Sequence, residues 1–234
     1  MRVPRRRCLT LIGLVASVCV AASGCARPQT TSRDGLDLAY PTGVTAYFIL
    51  GFLDEPSGRT IVEGDDLVER LFCEGPDKTA VLTRELRRFA HEQGLAPDIR
   101  VVTRQRCVTE VRSPSLAWAV NGLYVDRRPQ RSWVTDDVGG RHFMTKLFSD
   151  QRLFQGVDRR LKLAYLAGAW VRHGDGDSYR ITNAQHKVKL LVALLRESGC
   201  ADVRTTVTRG LIPQVTTIEF QPTPEVRAWL HRHW

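Results

Sequence analysis

Two stretches of this chain carry the same succession of residues, and that constrains the fold more than any other feature. Gly94-Leu95-Ala96-Pro97-Asp98-Ile99-Arg100, with Thr103-Arg104 beyond, parallels Gly199-Cys200-Ala201-Asp202-Val203-Arg204, with Thr208-Arg209 beyond. In each, a helix stops at Gly, an Asp follows, and a strand opens with a β-branched residue and Arg. Upstream, the apolar run around Gly51 parallels the run around Gly168. A match this short also arises by coincidence, but its order within both halves favours duplication. Two similar α/β halves in one chain make a monomer the expected state.

Composition agrees with a globular domain. Of 234 residues, 43% are hydrophobic and 25% charged, which excludes a disordered tail, a collagen and a multispanning membrane protein. In the first half, Val44 to Leu53 is an apolar run whose length alone does not separate helix from strand. A helix follows between Pro76-Asp77 and Gly94, with Ala80, Val81, Leu86, Phe89 and Ala90 as its inner stripe. From Asp98 to Arg112 the residues alternate as in a strand. Ile99, Val101 and Cys107 point one way and Arg100, Arg104, Arg106 and Arg112 the other.

The second half repeats the order with more contrast. Val157 to Arg172 reads as an apolar-rich helix, Ser178 to Thr182 as a short strand, and Asn183 as the cap of a helix stopping at Gly199. Val203 to Arg209 and Val215 to Phe220 read as a hairpin, and Pro224 opens a last helix.

The N-terminus has a separate logic. Arg2, Arg5, Arg6 and Arg7 precede an apolar stretch from Cys8 to Ala22, too short to span a bilayer comfortably, then small residues and Cys25. Ala22-Ser23-Gly24-Cys25 resembles the lipobox of bacterial lipoproteins. The resemblance implies a signal peptide over 1–24, a lipidated Cys25 carrying the fatty-acyl (palmitate) anchor, and an extracytoplasmic place in the bacterial cell envelope. Residues 25–42, with Pro28, Pro41 and no apolar period, suit a tether. Removing the signal takes four arginines and no acid, so the formal charge falls from +9 to +5. That is modest for a nucleic-acid binder. Cys73, Cys107 and Cys200 remain in the folded part; one disulfide and one free thiol fit an exported protein, but spacing does not give the pairing. No CxxC, no paired Cys/His spacing and no HExxH occur, so zinc has no support.

Leu166 to Gly174 reads LAGAWVRHG after Arg160-Leu161-Lys162-Leu163-Ala164-Tyr165, and the elements that follow keep the order described above. This resembles the signature helix of the LAGLIDADG homing endonucleases, with Ile49 to Asp54 (ILGFLD) at the equivalent place in the first half. The resemblance implies an α/β (α+β) fold of two αββαββα repeats, over 43–150 and 151–234, with antiparallel sheets about a pseudo-twofold axis. It implies that the two signature helices pack closely through small residues, here Gly51, Ala167 and Gly168. It also implies a carboxylate before the last Gly of each motif, holding Mg2+ for phosphodiester cleavage. The corresponding residues here are His173 and Pro56, neither a hard oxygen ligand. Asp54, Glu55 and Asp175 lie nearby and are the candidate acids should cleavage survive.

The family's other working surface is its pair of sheets, which would offer Arg100, Arg104, Arg106, Arg112, Arg204 and Arg209 to phosphate. A solvent-facing sheet accounts for the same arginines. The expected function is an anchored binding protein with a degenerate nuclease site. The alternatives are a DNA-binding protein or metal-dependent DNA endonuclease, and an envelope protein that binds other proteins. No Ser or Cys stands in recognisable spacing with His142, His173 or His186, so a hydrolytic triad lacks support.

Overall fold

The structure is a computed structural model that describes residues 43–53, 60–62, 66–104, 107–123, 133–135, 141–144, 154, 156–176, 178–184, 187–208 and 215–232. The chain divides into two units, Met1–Asp37 and Leu38–Trp234, and every described residue belongs to the second. Cys25 and the tether therefore lie outside the described residues, as do Asp54, Glu55, Arg106 and Arg209.

Two helices make the centre. The apolar run of the first half is helix α1 (Gly43–Phe52), buried at every residue from Thr45 to Phe52. A helix buried all round has no polar face, which is why its period is illegible in sequence. Its counterpart in the second half, Arg159–His173, is buried continuously from Leu163 to Arg172. The two cross with backbones nearly touching. A Cβ on Gly51 would sit 2.0 Å from the Tyr165 carbonyl oxygen, and one on Gly168 would sit 2.0 Å from that of Phe48. Only glycine permits such an approach at either point. Ala167, also buried, adds little bulk beside Gly168.

Around this pair each half builds the same three-stranded antiparallel sheet. In the first, β2 (Leu67–Phe72), β4 (Val108–Arg112) and β3 (Arg100–Thr103) lie in the order β2-β4-β3, with helices α2 (Pro76–Gln93) and α3 (Pro114–Gly122). In the second, β7 (Arg180–Thr182), β9 (Val215–Gln221) and β8 (Ala201–Thr208) lie in the order β7-β9-β8. The central helix of this half is α4 (Arg159–His173), joined by α5 (Val188–Glu197) and α6 (Pro224–His231). The matching strand orders establish the duplication that the sequence suggests.

Two local expectations are corrected. The stretch from Asp98 to Arg112 is a hairpin, not one strand: it turns where the Arg104 N–H donates to the Val108 carbonyl at 2.7 Å, and Cys107 is disulfide-bonded to Cys73. Alternation simply continues through the turn, so Arg100 and Arg112 face each other across the ladder. Asn183 does not cap α5. It sits at φ +65 just past the end of β7, with its N–H donated to the Thr216 carbonyl, and the helix begins after Lys187. The expected double-motif fold with two antiparallel sheets is the one observed; of the pair of strands that precedes each second helix, only the second strand belongs to a three-stranded sheet of its half. Strand β1 (Thr60–Val62) pairs instead with β6 (Arg141–Met144), which also pairs with β5 (Trp133–Thr135) in a third sheet. In the second half, the only pairing described for the first strand of that pair is the single bridge Gly174 to Ile181.

Helix boundaries follow the local signals. Pro76 opens α2 and Gly94, at φ +65, closes it with its N–H on the Ala90 and His91 carbonyls. Asp158 caps α4 through the Arg160 N–H, and Thr223 caps α6 through the Val226 N–H.

Candidate functional site

The feet of α1 and α4 come together where the resemblance implies two metal-binding carboxylates. A helix C-terminus presents unsatisfied carbonyls and partial negative charge. Each foot is closed by a lysine from the other half. Lys187, buried just before α5, donates its Nζ hydrogens to the carbonyls of Leu50 (3.1 Å), Gly51 (2.7 Å) and Leu53 at the end of α1. Lys78, in the first turn of α2, donates to the carbonyl of Arg172 (2.6 Å) in the last turn of α4 and to Glu74 Oε2 (2.8 Å).

Arg172 completes the arrangement. It is 4% exposed, with Nε 3.3 Å from Glu74 Oε1 and its guanidinium 5.4 Å from the Phe52 ring centroid. Next to it, His173 is held neutral: burial, then the charges of Lys187, Arg172 and Lys78, push its pKa down to about 2. The described groups converging here are thus three cations, one neutral imidazole and the single carboxylate of Glu74.

That donor set does not suit Mg2+, which wants several hard oxygen ligands. Among the described residues no group of three His, Cys, Asp or Glu is placed to hold a metal ion. Asp175, the candidate acid within the described residues, is tied into its own turn. Its carboxylate accepts from the Ser178 N–H at 3.2 Å and from the Ser178 hydroxyl. Burial would raise its pKa, but the hydrogen bonds from Ser178 and Arg180 hold it below the usual carboxylate range.

The arginines of the first sheet do come together, but onto acids of the same surface. Glu110, on the central strand and 5% exposed, accepts from Arg70 (3.0 Å), Arg104 (3.2 Å) and Arg112 (2.9 Å). Asp66 takes both Arg100 and Arg112. The hydrogen bond from Arg112, opposed by burial and reinforced by Arg104 and Arg70, brings the Glu110 pKa down to about 2. In the second sheet Arg180 pairs with Glu219 at 3.1 Å. Arg204 lies opposite Glu219 in register, with Asp202 at 3.8 Å.

Sequence reasoning did not find Arg70, Glu110, Arg180, Glu219, Lys78 or Lys187. A signal existed for four of them: an Arg before an aliphatic residue in β2 and β7, and a Glu before an apolar residue in each central strand. The lysines had none, because they act on backbone carbonyls of the opposite half.

No protein-family model matches the chain, and no curated protein matches it. Solved structures do. The homing endonuclease I-DmoI in complex with DNA and Mn is 12% identical over 80% of this chain and 92% of its own, with a TM-score of 0.49. A structure of mesophilic variants of I-DmoI is 13% identical over 80% and 93%, with a TM-score of 0.46. I-DmoI in complex with DNA and Ca is 12% identical over 79% and 85%, with a TM-score of 0.45. The duplicated architecture stands on the strand pairing and helix crossing described above, not on these superpositions.

Proposed function

We propose that this chain is a lipid-anchored, extracytoplasmic binding protein on a LAGLIDADG-like scaffold, without phosphodiesterase chemistry. The observation that carries the reading is the cationic foot of the central helices. Water activation by a divalent ion needs carboxylates there, and Lys78, Lys187 and Arg172 stand in their place. Among the described residues, three ammonium or guanidinium groups stand around one carboxylate, a set that repels a divalent cation.

Anchoring is supported by the basic and apolar N-terminus ending on Ala22-Ser23-Gly24-Cys25. The Cys73–Cys107 disulfide supports the same compartment, since disulfides persist mainly outside the reducing cytosol. The two halves, 43–150 and 151–234, act in this reading as one monomeric binding unit at the membrane.

Two measurements test it. Wild type is expected in the membrane fraction and a Cys25→Ser variant in the soluble fraction; wild type in the cytosol would sink the anchoring. Incubated with duplex DNA and magnesium, the protein is expected to leave the DNA intact. Cleavage that disappears in Asp54→Asn, Glu55→Gln or Asp175→Asn would establish the endonuclease alternative instead.

A further inference from the structure

The two central strands carry a carboxylate at the same place. Arg70 on β2 faces Glu110 on β4, and Arg180 on β7 faces Glu219 on β9, each pair directly opposite in register and each ion-paired. Since the sheets share one strand order, the pairing is a repeated feature of the duplicated unit, not a single surface contact.

A guanidinium recognises carboxylate and phosphate with the same fork of donors. We infer that Glu110 and Glu219 set the selectivity of the two sheets, occupying with a built-in carboxylate the arginines that a polyphosphate would need and so turning nucleic acid away.

The sheets do this unequally. On the first, Arg70, Arg100, Arg104 and Arg112 are all engaged by Glu110 and Asp66. A phosphate taking any arginine from Glu110 would leave a nearly buried carboxylate facing a like charge, a costly exchange. On the second, Arg180, Arg204, Asp202 and Glu219 line one open cleft of about 280 Å³, two positive groups against two negative. There the Glu219 side chain is 48% exposed, so its hold is weaker. Glu110 remains ionised at any physiological pH, because its arginines keep its pKa far below 7. The exclusion is therefore permanent rather than switched.

The test is binding of the purified full-length chain to a labelled random-sequence DNA duplex over a salt series. Each phosphate contact adds about 0.9 to the slope of log K against log salt. Glu110→Gln releases Arg70 and Arg104, while Asp66 still holds Arg112. It is expected to strengthen binding about tenfold or more at low salt and to steepen the slope by about 2. Glu219→Gln releases Arg180 and should steepen it by about 1. Glu225→Gln adds the same charge away from the sheets, where Glu225 pairs with Arg159, and should leave binding unchanged. Adding Arg70→Gln to Glu110→Gln should take back part of the gain.

Wild type already binding DNA with the slope of four phosphate contacts would overturn the inference. So would a Glu110→Gln protein with unaltered circular dichroism and unaltered DNA affinity. Should Glu110→Gln fail to fold, Glu219→Gln decides alone, its half-exposed position being tolerant. The outcome is independent of the preceding reading, which a cleavage assay tests separately.

Discussion

Gly51 and Gly168 occupy reciprocal positions on the crossing helices. Each meets a backbone carbonyl of the other helix, and that carbonyl belongs to the residue three before the other helix's own glycine, Tyr165 in one case and Phe48 in the other. The relation defines a local twofold axis and the alignment of the halves. It sets Pro56 against His173 and Glu55 against Arg172 in sequence. A methyl group at either glycine needs a carbonyl to retreat by roughly an ångström, and packed backbones resist this. Gly51→Ala and Gly168→Ala are each expected to lose about 3 kcal/mol in urea unfolding. A loss below about 1 kcal/mol would mean that the helices stand further apart than described.

The reciprocal lysines should be unequal. Lys187 is 6% exposed and serves three carbonyls, whereas the Lys78 side chain is 22% exposed and shares its charge with Glu74. Lys187→Met strands buried carbonyls and is expected to cost about 3 kcal/mol, and Lys78→Met about 1 kcal/mol. Denaturant titration of both variants checks the order. Equal losses would contradict the difference in burial.

The disulfide joins the end of β2 to the β3–β4 turn across a sequence separation of 34. By chain entropy, reducing it or substituting Cys73→Ser should cost about 3 to 4 kcal/mol. Cys200 is buried, and burial pushes its thiol pKa up. A thiol reagent is therefore expected to leave Cys200 unlabelled in the native protein and to label it after denaturation. Rapid native labelling would show that the second half opens around Cys200.

Acid should weaken the fold in two stages. His173 is neutral in the folded protein, with a pKa of about 2 against 6.5 when unfolded. The unfolded chain therefore binds the extra proton first, and stability falls as pH drops below about 6.5. The slope from this one group approaches 1.4 kcal/mol per pH unit, roughly the value of one proton. Glu110 acts later: its pKa lies near 2 against 4.5, so its contribution is lost only as pH falls below about 4.5. Stability measured between pH 7.5 and 5 should show the first stage, and His173→Leu should flatten it. An unchanged slope in that variant would assign the proton elsewhere.

Much of the secondary structure was legible where the signal is local. Pro76 and Gly94 bound α2, and Pro224 opens α6, because proline and left-handed glycine act on their own backbone. The hairpin from Arg100 to Arg112 was not legible, since period-2 alternation runs through its turn without a phase change. Nor was the true start of α5, because Asn183 suits a cap in sequence yet holds a φ of +65 at the end of β7, bonded to Thr216.

The sequence by itself determined the repeat, the order of elements and the small residues that let two helices touch. Those are properties of neighbours along the chain, read from period, punctuation and size. Only the tertiary structure decided what the charges do. Lys187 reaches a carbonyl 136 residues away, Lys78 one 94 away, and Arg70 finds its acid at a separation of 40. A charge in sequence has a sign but no partner. Folding supplies the partner by bringing distant groups within hydrogen-bond reach, and here it turns an arginine-rich face into a paired one and sets lysines on the carbonyls that end the two central helices.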